Sequence, residues 1–159
     1  MATQHNVELR SGWYSDYGDI GGYWEPDPSV RHSGEYVLGK LDDYLSTPIG
    51  SENLHIYALE GNDNIRLGKD TGGYGWIPGN TGLLIYAGLG DDHISVSGGR
   101  RGTYSSTPAP DWWSGDDGDL NSIYASHIDL QEGNDQLNIW GQSKDSTIKG
   151  GYGDDLIVF

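Results

Sequence analysis

The chain has 159 residues with 24 acidic and 9 basic side chains, so its formal net charge is −15. This charge argues against nucleic acid and anionic membrane surfaces as partners. No apolar run approaches the roughly 18 residues of a membrane-inserted helix. The lack of cysteine excludes disulfides and thiolate–metal sites. Only 35% of the residues are hydrophobic, although 6 are Trp and 11 are Tyr, so we expect one domain in which bound cations supply stability that burial alone does not.

Residues 1–34 contain no clear repeat and are rich in glycine, tyrosine and tryptophan. Pro26 and Pro28 interrupt any helix there. Because the ends of repeat proteins need covering, we interpret residues 1–34 as an N-terminal cap over the first repeat. The first residues also lack the charged and apolar segments of a signal peptide.

Residues 35–159 repeat a short unit: a glycine, an acidic or amide residue, an aspartate, any residue and then an aliphatic residue. Gly150 is the first position of the last copy. In each earlier copy, the residue that aligns with Gly150 is the first position. The sixth-position aspartates are Asp63, Asp92, Asp135 and Asp155, with Asp43 in a degraded first copy. The intervals between them are unequal, which places the extra residues in return loops at 68–82 and 97–125.

Apolar residues, all but one of them aliphatic, hold fixed places on both sides of each turn. The column before the turn is Ile56, Ile85, Ile128 and Ile148, and the columns after it are Ile65, Ile94, Leu137 and Ile157, then Leu67, Val96, Ile139 and Phe159. Most of the residues between the two later columns are polar, which is typical of short strands and not of helices. The sequence therefore predicts an all-β fold, a right-handed parallel β-roll or β-helix of about five coils. We expect regular turns on one side only, with the long loops on the other.

The stacked aspartates predict a cation site. Parallel strands lie about 4.8 Å apart, and at that spacing two carboxylates repel each other by about 3.5 kcal/mol at an effective dielectric constant near 20. Cations between the turns would remove this repulsion. Oxygen ligands without cysteine favour Ca²⁺ or Mg²⁺, and a flexible cage of backbone carbonyls, which the turn glycines allow, favours Ca²⁺.

The last turn, Gly150-Gly151-Tyr152-Gly153-Asp154-Asp155-Leu156-Ile157-Val158, resembles the nonapeptide G-G-x-G-x-D-x-U-x of RTX calcium-binding β-rolls, in which U is aliphatic. In that family each calcium ion lies between successive turns and is held by turn carbonyls and the sixth-position aspartate. The resemblance therefore implies metal ligands within the turns. They are Glu60, Gly61, Asn62, Asp63, Gly90, Asp91, Asp92, Gly133, Asn134, Asp135, Gly153, Asp154 and Asp155, with Asp43 in the degraded copy.

The resemblance covers about residues 35–159 and departs from the family pattern in the earlier copies. Ala58, Ala87 and Leu130 stand at the first position, Leu59 and Gln131 at the second, and Leu41 at the fourth position of the degraded copy. The resemblance also implies a secreted bacterial protein that is exported by type I secretion, without an N-terminal signal, into a calcium-rich extracellular milieu.

A second acidic segment has the spacing of a calcium loop. Asp117, Asp119 and Asn121 occupy its first, third and fifth places. Ser122 and Ile128 stand where such loops have glycine and glutamate. Both a further calcium site at Asp117 and Asp119 and a solvated acidic turn are consistent with this pattern.

Aromatic residues are concentrated in the predicted loops. They are Tyr74 and Trp76 in the first loop, Tyr104, Trp112 and Trp113 in the second, and Trp140 at the start of a short connection. Rigid aromatic faces among Asp, Asn and Arg are typical of binding surfaces, and sugar rings would stack on them. The alternative is a small core beneath the loops.

No motif of a serine or metallo-hydrolase is present, and a carboxylate pair such as Glu35 with Asp42 leaves a glycosidase role open. His55 and His127 share a strand column roughly 10 Å apart, too far to bind one zinc ion. We predict a non-enzymatic, calcium-dependent extracellular binding or adhesion module that recognises polysaccharide or cell-surface glycans. The alternatives are a structural or secretion-assisting calcium-folded repeat, and an accessory or catalytic domain of a polysaccharide-active enzyme.

Overall fold

The computed structural model describes residues 33–47, 50–68, 79–97 and 122–159 in full, and only the backbone of the strands at 6–8, 13–16, 22–25, 32, 76–77 and 100–101. All regular secondary structure in these ranges is β-strand. No helix in them is long and apolar enough to cross a membrane. The predicted all-β class is therefore confirmed.

The strands are short, from two to seven residues. In chain order they are β1 (Asn6–Glu8), β2 (Trp13–Asp16), β3 (Gly22–Glu25), β4 (His32–Val37), β5 (Tyr44–Ser46), β6 (Ser51–Tyr57), β7 (Asn64–Leu67), β8 (Trp76–Ile77), β9 (Asn80–Thr81), β10 (Leu84–Tyr86), β11 (His93–Ser97), β12 (Arg100–Arg101), β13 (Ile123–Tyr124), β14 (His127–Asp129), β15 (Gln136–Trp140), β16 (Ser143–Lys144), β17 (Thr147–Lys149) and β18 (Leu156–Val158).

One parallel sheet contains the strands that follow the aspartate turns, in the order β1-β5-β7-β11-β15-β18. Its central row is Leu45, Ile65, Ile94, Leu137 and Ile157, as the aliphatic pattern predicted. Val7 of β1 pairs with Leu45. Part of the segment interpreted as a cap thus continues this sheet, and β4 spans the boundary predicted at residue 34; most of residues 1–34 lie outside the described ranges.

A second parallel sheet contains the strands that precede the turns, in the order β16-β13-β9-β6-β10-β14-β17, with β4 also paired to β6. Its row of Ile56, Ile85, Ile128 and Ile148 is the predicted one. The same register places His55 and His127 in one column, as predicted, with Leu84 between them.

The core is built from these columns, whose members from Ile56 to Ile139 form one buried cluster. In the last coil, Ile148 and Ile157 are only partly buried against this cluster and Phe159 is 71% exposed. Ala58, Ala87 and Leu130 belong to it and are fully buried. These residues stand at the first turn position in place of glycine, so their side chains fill the core at that position. In the last turn the same position is Gly150, where a Cβ atom would lie 2.5 Å from Asp155 Oδ2.

A second row of turns lies opposite the aspartate turns. Residues with left-handed backbone recur there in register: Asn53 (φ 51°), Gly82 (φ 63°), Ala125 (φ 47°) and Asp145 (φ 51°). The prediction that only one side repeats is therefore wrong. The second row of turns was not predicted because its turns share a backbone conformation, whereas their residue types differ from turn to turn.

The predicted loops at 68–82 and 97–125 contain strands that join the second sheet and each other. β9 and β13 pair in parallel, and β8 and β12 form an antiparallel pair with Trp76 opposite Arg101. The buried amide of Asn80 donates from Nδ2 to the carbonyls of Ser97 and Ser122, at 3.0 and 2.9 Å. The bases of the two loops are thus tied together.

Candidate metal centre

The glycines at the fourth turn position are required by both conformation and space. Gly61, Gly90, Gly133 and Gly153 have φ between 123° and 159°, a region that side chains resist. A Cβ atom on Gly90 would overlap the carbonyl oxygen of Gly61, and one on Gly133 would overlap that of Gly90. Each of these carbonyl oxygens thus faces the next turn along the stack.

The sixth-position aspartates form a ladder of hydrogen bonds between turns. The backbone N–H of Asp43 donates to Asp63 Oδ1, and that of Asp63 donates to Asp92 Oδ1, both at 2.7 Å. The N–H of Asp92 donates to Asp135 Oδ1 at 2.7 Å, and that of Asp135 to Asp155 Oδ1 at 3.1 Å. The aspartate column is therefore in register, and each Oδ1 fixes its carboxylate in the stack.

The second side-chain oxygen of the three central aspartates has no hydrogen-bond partner among the described residues. Asp63, Asp92 and Asp135 are each 2% exposed, and within these ranges their Oδ2 atoms are buried without a hydrogen bond. Leaving a buried acceptor unsatisfied costs roughly 1–3 kcal/mol. Three such atoms at the same position of successive turns form a row of acceptors that could each bind a hydrogen-bond donor or a cation.

Burial also changes the protonation of these carboxyl groups. Loss of hydration raises the pKa of Asp63 to about 6 and that of Asp92 to about 7, and the negative charges of neighbouring aspartates add to the effect. The pKa of Asp135 is raised for the same reasons. Without a counter-charge, the ladder therefore holds protons that isolated aspartates lose near pH 4.

The end members of the ladder differ from its centre. The Oδ2 atom of Asp43 accepts a hydrogen bond from the Gly39 N–H, so this carboxylate is engaged by its own turn. Asp155 is half-buried. The predicted ligands Asp43 and Asp155 are therefore in line with the others but lie in different surroundings.

The fifth position forms a second, exposed ladder that runs in the opposite direction. The side chains alternate between charged and neutral: Asp42, Asn62, Asp91, Asn134 and Asp154. The Oδ1 atom of each of the first four accepts the backbone N–H of the next turn, at 2.8–3.0 Å. The asparagines separate the charges, so this ladder carries less repulsion than an unbroken aspartate column.

The donor set suits a cation bound by backbone and carboxylate oxygens. The point where a Cβ atom of Gly133 would lie is 2.9 Å from Asp135 Oδ1 and is closer still to the Gly90 carbonyl oxygen, so both oxygens border one small space. In the described ranges no hydrogen bond is donated to the carbonyl oxygens of Gly61, Gly90 or Gly133. Carboxylates and free carbonyls are the ligands that calcium prefers.

Side chains alone do not form a complete cage. In the described part of the chain, no three His, Asp or Glu side chains converge as a metal-binding group. Any ion between the turns therefore needs the backbone carbonyls as ligands. Among the other predicted ligands, the Glu60 side chain forms an ion pair with Lys40 at 2.6 Å on the surface.

The predicted ligand-binding aromatics lie mostly outside the described residues. These are Tyr74, Tyr104, Trp112 and Trp113, together with the predicted calcium loop at Asp117 and Asp119. Trp76 is described only as a backbone member of β8. Trp140, at the end of β15, is 62% exposed.

The sequence reasoning missed a pair of tyrosines beside the turns. Tyr57 and Tyr86 pair across β6 and β10, and their rings stack at 5.6 Å with an angle of 16° between the ring planes. The signal was present in the sequence, because both tyrosines directly precede the first turn position.

Comparison with protein-family models, with characterised proteins and with solved structures found no match to this chain.

Proposed function

We propose that this chain is a calcium-folded, RTX-like β-solenoid, a right-handed parallel roll of about five coils, that works as an extracellular binding or adhesion module. One observation carries the calcium proposal. At the same position of three successive turns, a buried aspartate oxygen has no hydrogen-bond partner in the part of the chain that the structure describes. A row of divalent cations between the turns would satisfy these oxygens together.

The residues that would hold calcium are the ladder aspartates with the turn carbonyls. They are Asp63, Asp92, Asp135 and Asp155 with the carbonyl oxygens of Gly61, Gly90 and Gly133. Bound calcium would supply positive charge beside carboxylates that otherwise repel one another and take up protons. The aspartates must be ionised to bind it, so calcium and protons compete for the same groups.

The proposed extracellular location rests on the calcium affinity expected of such sites. Calcium modules of extracellular proteins have dissociation constants of roughly 10⁻⁴–10⁻³ M, and a chain that depends on them folds only where calcium is plentiful. A secreted protein that is exported by type I secretion and folds outside the cell fits this dependence. The net negative charge would keep the protein soluble in that environment.

The binding role rests on the two aromatic loops. The pairing of β8 with β12 places the backbone of Trp76 opposite Arg101, so the two loops share one region of the molecule. Aromatic and arginine side chains are frequent at recognition surfaces. Glycans are the ligand class that we propose for this region, and we propose no catalytic activity.

Calorimetric titration of the metal-free chain with calcium chloride at pH 7.5 tests the metal proposal. Wild type should bind more than one calcium ion per chain. Asp92→Asn keeps an acceptor oxygen for the Asp63 N–H but removes the carboxylate, so its calcium affinity should fall at least tenfold.

The matched control is Asp145→Asn, which makes the same charge change at an exposed residue in the opposite row of turns. Its calcium affinity should stay within about threefold of wild type, since only a surface charge is lost. The metal proposal fails if wild type binds no calcium, or if the two variants lose affinity equally.

A further inference from the structure

A groove lies between the outer face of the second sheet and the aspartate turns. Its volume is about 380 Å³, at the lower end of the range for small-molecule sites. Tyr57 and Tyr86 form one wall. The rest of the lining comes from the second and third positions of three successive turns: Leu59, Gly88, Leu89, Gln131 and Glu132.

Two lining residues hold a backbone conformation that favours glycine. Leu59 has φ 78° and Gln131 has φ 72°, whereas the same turn position is glycine in Gly88 and Gly151. A side chain in the left-handed region is unfavourable for L-amino acids. Strain of this kind persists where the surroundings enforce it and is frequent at ligand sites.

Core packing does not account for these two side chains. Leu59 is 43% exposed, and Gln131 is exposed as well. Leu89, one turn along, is 48% exposed and faces the same groove. Both leucines thus present apolar surface to solvent beside the stacked tyrosines, so the groove has two apolar walls that a ligand would cover.

The polar groups of the groove define the chemistry of its ligand. Gln131 and Glu132 lie together at one end of the lining and offer amide and carboxylate oxygens. In the described ranges Glu132 has no ion-pair partner, unlike Glu60, which pairs with Lys40. An unpaired carboxylate accepts hydrogen bonds from hydroxyl or ammonium groups and repels anions, and the net charge of −15 adds to that repulsion.

We propose that this groove binds a neutral or basic sugar unit of a glycan. The C–H face of a sugar ring would lie against the tyrosine and leucine walls, and its hydroxyl groups would donate to Gln131 and Glu132. The site is separate from the aromatic loops. Because one wall consists of turn residues, binding requires ordered turns, and its calcium dependence rests on the function proposed above.

The test is binding of the calcium-loaded full chain to an array of neutral, basic and acidic glycans, followed by titration with the strongest binder. We expect binding to at least one neutral or basic glycan. Gln131→Gly and Tyr86→Ala should each weaken it at least tenfold. Gln131→Gly should leave the Tm unchanged or higher because it relieves left-handed strain, so its loss of binding cannot come from unfolding.

Two matched controls lie away from the groove. Asp145→Gly changes another left-handed residue, and Tyr124→Ala removes another half-buried tyrosine; both should bind the glycan within twofold of wild type. The proposal is overturned if no neutral or basic glycan binds, or if the groove variants bind as well as wild type. Calcium titration of the same samples separates this failure from failure of the metal proposal, since calcium would then still bind.

Discussion

The fourth turn position illustrates how one residue type serves both conformation and chemistry. Gly90 has φ 127°, and a Cβ atom there would overlap the Gly61 carbonyl oxygen. The same closeness directs that oxygen toward the next turn, where the aspartate of the ladder lies. A side chain at this position would therefore disturb the stacking and the proposed ligand set together.

Gly90→Ala should destabilise the chain by about 2–5 kcal/mol, because left-handed strain of roughly 1–2 kcal/mol adds to an overpacking cost of roughly 1–3 kcal/mol. Gly34→Ala is the control, since Gly34 also has a positive φ of 105° but no atom of the described residues within 4 Å of its Cβ position. Its cost should be only the strain, about 1–2 kcal/mol. Urea unfolding in calcium measures both, and equal costs would show that close packing of the turns does not matter.

The raised pKa values predict how stability depends on pH. In the folded chain the pKa is about 6 for Asp63 and about 7 for Asp92, against a usual value of 3.8. Between about pH 4 and pH 7 the metal-free folded state therefore binds more protons than the unfolded state, and the free energy of unfolding falls as pH rises. Calcium affinity should rise through the same window, because the metal needs ionised carboxylates.

Urea unfolding of the metal-free chain at pH 5 and pH 8, combined with calcium titrations at both values, measures these trends. Asp92→Asn is the control, since it cannot ionise at that position. Its metal-free form should lose less stability than wild type between the two pH values and should be the more stable chain at pH 8. Greater stability of metal-free wild type at pH 8 than at pH 5 would contradict the assignment.

At the level of the elements, the features of the fold that could be predicted were those in which the same residue type recurs from turn to turn. The aliphatic columns around the aspartates gave the register of Ile56 with Ile85 and of Ile65 with Ile94. The opposite turns were not predicted, because Asn53 and Ala125 share a left-handed conformation but no chemical property. The groove was not predicted either, because the left-handed turn positions that line it share a backbone conformation but no residue type.

The site was predictable to a similar degree. The aspartate column followed from spacing in the sequence, and its alignment agrees with the hydrogen-bond ladder. The burial of one oxygen in each central carboxylate could not be derived, since it depends on how closely successive turns approach. The relief of repulsion by Asn62 and Asn134 was visible in the sequence but was overlooked.

The opposite row of turns has its own stabilising hydrogen bonds. Ser126 is 5% exposed; its Oγ accepts the Leu83 N–H at 3.0 Å and donates to the Tyr124 carbonyl at 2.9 Å. Ser146 repeats this role one turn later, where its Oγ accepts the Ser126 N–H at 3.1 Å and donates to the Lys144 carbonyl at 2.9 Å. The two serines differ chiefly in burial.

Ser126→Ala should cost about 1–3 kcal/mol, because it leaves the buried Leu83 N–H without an acceptor. Ser146→Ala should cost less, about 0.5–1 kcal/mol, since water reaches its more exposed turn. Urea unfolding in calcium compares the two variants. If Ser146→Ala proves the more damaging, these serines do not stabilise the turns in the way described.

At the scale of the whole molecule, the chain combines a narrow aliphatic core with an excess of negative charge. Its parallel sheets bury the aliphatic columns, while acidic side chains line up beside them at the turns. The alternation of Asp42, Asn62 and Asp91 limits repulsion on the surface, but the inner column of aspartates is unbroken. The stability of the stack therefore depends on what neutralises that inner column.

The most direct test of this account is the free energy of unfolding, measured by urea titration and circular dichroism without calcium and with calcium at about 100 times its dissociation constant. Each site should add about 2.7 kcal/mol under those conditions, so three sites would add about 8 kcal/mol. The account predicts a rise of that order, so the calcium-free chain should unfold at a much lower urea concentration than the calcium-loaded chain. An unfolding free energy that calcium leaves unchanged would contradict it.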